Sequence, residues 1–282
     1  MNNYRAKKIL QKVMFICLIF TIILVLLFPV AAMISVSLKE ANDVFSIPVT
    51  WIPKTFAFEN YIEVFKKMHI INGFKASLAI TAMTILLIMI IGIPAAYALS
   101  CLNFYGKKQI YYITLVSQMF APVIVIIPLY SMMNAMHLID HWFSLVLMNT
   151  TFNLAFIVLM LKSTFDGVPK EVIEAAKIDG CNSFMIIPKI FLPVARTGIA
   201  VAIIFAFTRT WNEFLFAFTF ISSTEKKPII VSLYEILKNN PAVGIPWHYV
   251  MTGAMYTTVP LVILFICIRN YITGDHTAGA IK

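Results

Sequence analysis

The sequence predicts an all-α, polytopic membrane protein with six transmembrane helices, and three observations lead to that prediction. Of its 282 residues, 60% are apolar and 12% are charged, whereas about a quarter of the residues of a soluble domain are charged. Charge-free apolar runs recur along the chain, each near the ~20 residues that a helix needs to cross a bilayer. Lysine and arginine are concentrated between alternate runs.

Six runs are candidate spans, and they lie near residues 13–37, 76–102, 110–133, 142–161, 194–221 and 247–268. The uncharged stretch from Val13 to Leu38 exceeds the roughly 7–15 residues of a cleavable signal-peptide core, so we expect a retained first span. Prolines inside several runs are compatible with helices in a membrane bundle. The runs are also too long for barrel strands, which have about 10 residues of alternating polarity.

The distribution of basic residues sets the expected orientation. If the N-terminus is cytoplasmic, 13 lysines and arginines fall on the cytoplasmic side and eight on the outer side. Cytoplasmic loops carry the excess of such residues, so both termini are predicted to be cytoplasmic. The net charge of +9 is then a topology signal for a multi-pass protein of the cytoplasmic (inner) membrane, and it gives little support for nucleic-acid binding.

The expected domain organisation follows from these spans. Residues 1–72 form a first transmembrane helix with a long extracytoplasmic loop. Residues 73–272 form a core of five spans, which includes a cytoplasmic loop over residues 163–193. Residues 273–282 form a cytoplasmic tail.

Sequence patterns of enzymes and of metal sites are missing from the chain. The four cysteines are far apart and form no CxxC pair, which argues against a zinc site or a disulfide framework. The chain contains no HExxH or GxSxG motif, and its five histidines are scattered. It also contains no GxxxxGK[ST] phosphate loop. We therefore expect no catalytic residue, no metal site and no ATP site of its own.

The loop between the fourth and fifth runs contains a short helix with recognisable ends. Pro169 suits the first turn of a helix. Glu171 lies near its positive N-terminal end, and Gly180 is placed to end it. A stub helix with a small, partly apolar face must bury that face in its own bundle or against another protein.

The same loop resembles the EAA signature of the permease subunits of ATP-binding-cassette importers. The matching residues are Glu174-Ala175-Ala176, Gly180 and, after nine intervening residues, Ile190-Phe191-Leu192-Pro193. The segment FDGVPKEVIEAAKIDG is similar to sequences of the carbohydrate-uptake branch of this family, in particular to the maltose-transporter-type second permease. The stretches WIPKTFAFENYIEVF, TWNEFLFAFTFI and ITGDHTAGAIK also agree, so the resemblance covers nearly the whole chain. Arg209 and His276 depart from the family pattern.

The resemblance implies the importer-permease fold and a set of partners. These are a second homologous permease, two cytoplasmic ATPase subunits that bind ATP and Mg²⁺, and an extracytoplasmic solute-binding protein. It also implies that the loop couples to the ATPase, through Glu174, Ala175, Ala176, Asp179 and Gly180. The implied cargo is a sugar or oligosaccharide, with a polyol or a glycerophosphodiester-type solute as the alternative. A membrane enzyme or a receptor without transport is a distant alternative, because neither would explain the coupling loop.

Polar residues inside the spans allow more than one interpretation. Arg209 and Glu213 are four residues apart, so on one helix they could form a pair that only secures packing. Alternatively, polar residues of the fourth and fifth spans line the solute pathway or contact the partner permease. The pathway candidates are Asn149, Asn153, Trp211, Asn212 and Glu213. Interhelical hydrogen bonds would explain the polar residues of the fourth span equally well.

Two outer segments are longer than simple turns. The first covers roughly residues 39–72, and the second is predicted to be a short amphipathic helix followed by a Pro/Gly-rich loop. Their aromatic residues could anchor the chain at the membrane interface or contact an external partner. By position, the second segment resembles a receptor-probing loop of maltose-type permeases. The expected receptor-docking residues are Asn240, Pro241, Gly244 and Trp247.

Overall fold

The computed structural model describes residues 2–67, 69–238 and 245–273, and throughout them the regular structure is helical. The all-α class is thus confirmed. The α-helices are α1 (Asn2–Ser37), α2 (Glu59–Lys67), α3 (Ile70–Cys101), α4 (Lys107–Ser117), α5 (Ile126–Ala135), α6 (Trp142–Asp166), α7 (Lys170–Ile178), α8 (Ser183–Ile186), α9 (Leu192–Val194), α10 (Arg196–Trp211), α11 (Leu215–Phe220), α12 (Ile229–Lys238) and α13 (Trp247–Thr273). Short 3₁₀ or π turns cover Ala41–Asp43, Pro122–Val125, Ile187–Phe191 and Thr224–Lys226.

Four helices are long and apolar enough to cross a membrane, namely Leu10–Ser37, Ile70–Cys101, Trp142–Asp166 and Trp247–Arg269. Two pairs of helical segments pass the same test together but are bent. The pair Lys107–Ser117 and Pro122–Ala135 bends by 88°, and the pair Ile187–Val194 and Arg196–Trp211 bends by 79°. The described residues therefore contain four candidate spans, or up to six if each bent pair forms one span.

The third and fifth runs are less regular than the sequence suggested. Ala121, which precedes Pro122, has an extended backbone (φ −74°, ψ 127°), because the proline ring disfavours a helical residue before it. In the fifth run α10 ends at Trp211, and α11 begins only at Leu215. The three residues between them form a second break, and hydropathy alone does not reveal it.

Contacts divide the chain into two groups: residues 1–68 with 233–258, and residues 69–232 with 259–282. In the first group, the end of α1 is tied to the loop that follows it. The Asn60 amide donates to the carbonyl oxygens of Ser37 (3.0 Å) and Lys39 (2.8 Å), which satisfies acceptors that a helix end leaves without an intrahelical donor. The Thr252 hydroxyl of α13 also donates to the Ser37 carbonyl, at 3.2 Å.

The second group is built on α3, α6 and α10, which pack against one another. Its buried residues form two apolar clusters. In one of them Phe191 lies against the rings of Tyr97 and Phe165, with centroid distances of 5.2 and 4.8 Å. A Cβ atom added to Gly198 of α10 would lie 2.2 Å from Cγ2 of Thr164, so α6 and α10 approach as closely as they do only because residue 198 has no side chain.

Candidate coupling segment and polar cavity

The predicted end of the coupling helix is confirmed. Gly180 has φ +83°, a conformation in which a side chain is strained. Around it the Asp179 N–H donates to the Ala175 carbonyl (2.9 Å), and the Cys181 N–H donates to the Ala176 carbonyl (2.9 Å). The second bond joins residues five positions apart, as in a Schellman cap, and it satisfies a carbonyl group at the helix end.

Helix α7 has one face in the bundle and one face exposed. Ile173 and Ala176 are buried in the same apolar cluster as Phe165 and Phe191. The other predicted coupling residues are exposed, and these are Glu174, Ala175, Asp179 and Gly180. Ala176 therefore contacts its own chain, and the remaining four form a surface that another protein could reach.

Ile178 belongs to that exposed surface, although the sequence did not single it out. It is the last residue of α7 and is 86% exposed. Its side chain therefore adds apolar area to the exposed surface beside Asp179. The helical pattern contained the signal, because Ile178 lies outside the buried stripe of Ile173 and Ala176.

Three of the five predicted pathway residues, Asn149, Asn153 and Glu213, meet at one cavity. Its volume is about 250 Å³, and its other lining residues are Ala121, Pro122, Val123, Phe152, Arg209, Leu215 and Phe216. The cavity lies beside both helix breaks, since Ala121 belongs to one and Glu213 to the other. Irregular backbone at membrane depth is tolerated where it is buried in protein or lines a cavity.

The expected pairing of Arg209 with Glu213 is wrong. One Glu213 carboxylate oxygen accepts the Phe216 N–H at 2.6 Å, and the other accepts the Ala217 N–H at 3.1 Å. The Arg209 guanidinium lies over the ring of Phe156, with Cζ 4.2 Å from the centroid. The physical reason is that α10 ends between the two residues, so Glu213 caps the next helix instead.

The other two pathway candidates lie away from the cavity. Trp211 is buried and stacks on Phe207, with centroids 5.4 Å apart and planes 10° from parallel. Asn212 is exposed, and its amide donates to the Thr208 carbonyl at 2.9 Å. Trp211 thus stabilises the bundle, and Asn212 caps the end of α10.

A hydrogen-bonded cluster around Asp140, just before α6, was not predicted from the sequence. We call it the Asp140 corner. One Asp140 carboxylate oxygen accepts the N–H groups of Ser222 (3.0 Å) and Ser223 (2.9 Å). The other accepts the Ser223 hydroxyl (2.5 Å) and the Lys226 ammonium (2.9 Å). Desolvation by itself raises the pKa of Asp140, but these hydrogen bonds outweigh it and hold the pKa well below its ordinary value.

Among the expected receptor-docking residues, Asn240, Pro241 and Gly244 lie outside the described residues. Trp247 begins α13 and is 36% exposed. The amphipathic helix expected before the loop is present as α12. A metal site would need a cluster of at least three His, Cys, Asp or Glu side chains, and none occurs in the described parts of the chain.

Comparison with known proteins identifies the fold and the family. Residues 88–273, which contain the coupling segment and the cavity, match the family described as "Binding-protein-dependent transport system inner membrane component". The chain is 30% identical to the inner membrane ABC transporter permease protein YcjP of Escherichia coli K12 over 278 residues, which cover 98% of each protein. It is 31% identical to the sulfoquinovosyl glycerol transport system permease protein SmoH of Agrobacterium fabrum C58, over 91% of this chain and 89% of that one.

A solved structure has the same fold. It is the crystal structure of a bacterial ABC transporter involved in the import of the acidic polysaccharide alginate. One of its chains superposes with a TM-score of 0.79 and 21% identity, over 93% of this chain and 96% of that chain. The resemblance to the importer permeases is thus confirmed: the chain is a multi-pass membrane protein of the binding-protein-dependent transport system inner membrane component family, the permease subunits of ATP-binding-cassette importers.

Proposed function

We propose that the chain forms half of the translocation pore of an ATP-driven importer for a sugar or oligosaccharide. The observation that carries the proposal is the match over residues 88–273, together with the exposed face of α7 within that range. The sugar cargo is supported by the names of similar proteins, since sulfoquinovosyl glycerol and alginate are both carbohydrates. No cofactor is assigned to this chain, because ATP and Mg²⁺ would bind to the partner ATPase subunits.

In this proposal the exposed residues of α7 contact an ATPase subunit. Glu174 and Asp179 offer carboxylates to a basic or amide-lined cleft, and Ile178 offers apolar surface beside them. Ile173 and Ala176 fix the same helix to the bundle. Movement of the ATPase would therefore be transmitted directly to α6 and α10. The second homologous permease would complete the pore.

A solute-binding protein would deliver the cargo from outside. The family's description as binding-protein-dependent supports this partner. We place the contact at residues 239–247, among which Asn240, Pro241, Gly244 and Trp247 remain the proposed docking residues.

The proposed topology has six spans with both termini cytoplasmic, each bent pair forming one span. Residues 73–272 then form the core permease domain. In a variant without native cysteines, Lys108→Cys should react with a membrane-impermeant thiol reagent only after the inner face is opened. Glu59→Cys should react from outside, and both positions are exposed. The reverse pattern would show that the topology is inverted.

The function is tested by assembling the complex. The chain should co-purify with a second permease and an ATPase when the neighbouring transport genes are co-expressed. ATP hydrolysis should then be stimulated by the loaded solute-binding protein, and the complex should import a carbohydrate into proteoliposomes. The purified single chain should hydrolyse no ATP. An assembled complex that moves no carbohydrate would refute the proposed cargo class.

A further inference from the structure

The cavity beside the two helix breaks is lined by one acidic and one basic side chain, and the two differ in their hydrogen-bond partners. Its two ionisable lining residues are Glu213 and Arg209. The Glu213 carboxylate uses both oxygens as acceptors for N–H groups in the first turn of α11. Backbone N–H groups at the start of a helix stabilise a negative charge. The Glu213 carboxylate therefore has its hydrogen-bond donors within its own segment.

Arg209 has no comparable hydrogen bonds within the described residues. Its guanidinium has five N–H donors. Within the described residues, its partner is the face of Phe156, and no carboxylate lies within ion-pair distance of it. A charge inside a span is costly and faces the bundle interior or a water-filled cavity. The structure thus gives the cavity a positive group that lacks an acceptor.

Asn153 provides a second polar group beside it. Its side chain is 7% exposed and lines the same cavity. No described residue forms a hydrogen bond with its amide, although buried polar groups are nearly always hydrogen-bonded. Asn149 differs, because its amide nitrogen already donates to the Leu145 carbonyl at 2.9 Å. Asn153 thus presents to the cavity an amide that has no hydrogen-bond partner among the described residues.

The walls of the cavity suit a sugar ring. Phe152 and Phe216 line it, with ring centroids 5.3 Å apart, and Pro122 adds a further apolar surface. Aromatic faces pack against the C–H faces of sugars, while amides bind their hydroxyl groups. Ligand sites commonly combine such apolar walls with a few placed polar groups.

We propose that Arg209 and Asn153 form a subsite that selects sugars carrying an oxyanion: a carboxylate, a sulfonate or a phosphate. This inference rests on the proposed function and narrows its cargo to acidic carbohydrates. The planar guanidinium binds an oxyanion through two parallel hydrogen bonds, which lysine cannot reproduce. Asn153 binds a neighbouring hydroxyl group, and the aromatic walls hold the ring.

The competing explanation is that Arg209 forms an ion pair with an acidic residue of the second permease. This explanation predicts that loss of the guanidinium releases the second permease or lowers the amount of assembled complex. The subsite predicts instead that assembly is unchanged and that only the cargo with the oxyanion is affected.

The first measurement is mass spectrometry of the solute that co-purifies with the solute-binding protein of the complete importer. We expect a saccharide with an oxyanion, and its accurate mass distinguishes carboxylate from sulfonate and phosphate. A neutral saccharide would overturn the inference and leave the proposed function standing. A solute that is not a carbohydrate would overturn both.

The second measurement is the import of that acidic solute into proteoliposomes by the complete importer and its variants. Arg209→Gln should lower the rate about tenfold or more, because a hydrogen bond between two charged groups is lost. Arg209→Lys should recover part of the rate. Lys108→Gln, which removes an exposed cation outside the cavity, should import like the wild type.

Assembly is scored in the same preparations, as the amount of second permease and ATPase retained. Retained assembly and normal affinity of the solute-binding protein, together with slow import by Arg209→Gln, support the subsite. An unchanged import rate for Arg209→Gln overturns it. Loss of the second permease from the Arg209→Gln complex also overturns it, because Arg209 would then be an assembly contact.

Discussion

The two segments that flank α6 differ in whether their acidic side chains are hydrogen-bonded within the chain or exposed. Before α6, the Asp140 carboxylate accepts four hydrogen bonds from its own chain. After α6, Glu174 and Asp179 of the coupling segment are exposed, as is the apolar side chain of Ile178. The acidic residue before the helix is thus satisfied within the chain, whereas those after it are exposed, as the proposed ATPase contact requires. Each prediction below tests one side of this contrast.

The largest effect is expected for Gly180→Asp. Residue 180 has φ +83°, and a Cβ atom there would meet no atom within 4 Å. The backbone strain should cost about 1 kcal/mol, so the spans should still insert. The new side chain would, however, lie within the proposed contact with the ATPase. Import per membrane-inserted molecule should fall to near background, with ATPase lost from the detergent extract or uncoupled. Glu174→Lys should give a smaller loss, because a charge at the rim of a contact often alters affinity without abolishing it.

Gly106→Asp is the matched control for this experiment. Gly106 has φ +86° and is equally open, but it precedes α4 and lies outside the coupling segment. The importer that carries Gly106→Asp should therefore import at the wild-type rate. Normal specific import by Gly180→Asp, with the ATPase still bound, would contradict the coupling role.

The second prediction concerns the contact between α6 and α10. Gly198→Ala would place a Cβ atom 2.2 Å from Cγ2 and 2.4 Å from Oγ1 of Thr164. Overpacking of this kind costs about 1–3 kcal/mol, so the unfolding temperature of the detergent-purified protein should fall. Gly92→Ala is the control, because its nearest side-chain atoms are 3.7 Å away. Adding Thr164→Ala to Gly198→Ala should recover part of the loss, and a failure to recover any of it would contradict the close approach.

The third and smallest effect concerns the Asp140 corner. Asp140→Asn should lower stability by about 1–2 kcal/mol at neutral pH, because hydrogen bonds to a charged acceptor are weakened. The pKa of Asp140 is depressed in the folded protein. Its stabilisation is therefore present above the ordinary pKa of about 4 and is lost as the pH falls further, through the lowered pKa.

Thermal unfolding measured between neutral and acidic pH tests this point. The wild type should lose more stability than Asp140→Asn as the pH falls below about 4. Glu225→Gln, a change at a nearby exposed carboxylate, should behave like the wild type. Identical pH profiles for the wild type and Asp140→Asn would contradict the proposed role of the corner.

The features that could be predicted from the sequence are local ones. A long apolar run forms a helix in lipid whatever its neighbours are, so the existence of the spans followed from hydropathy. The cap at Gly180 followed from residues within one helical turn. The breaks at Ala121 and at Glu213 did not, because hydropathy is averaged over a window, and the average conceals the four non-helical residues of the first break and the three of the second.

Hydrogen-bond partners that are distant in the chain could not be predicted from the sequence either. Asp140 binds Ser222 and Lys226, which follow it by 82 and 86 positions in the chain. No local sequence pattern links these residues. The sequence grouped Asn149, Asn153 and Glu213, which line one cavity, because polar residues inside spans are rare and tend to face a shared interior. Trp211 and Asn212 do not line that cavity, since their neighbours in sequence do not determine on which side of a broken helix they lie.

The close approach at Gly198 also has an evolutionary consequence. Positions 164 and 198 share a space that holds one threonine side chain and no further carbon atom. Substitutions there should therefore occur in a fixed order across related proteins, with the residue at 164 becoming smaller before the residue at 198 becomes larger. Lineages that carry alanine or serine at 198 should have alanine or glycine at 164. A history of paired changes at these two positions would thus record the packing of α6 against α10.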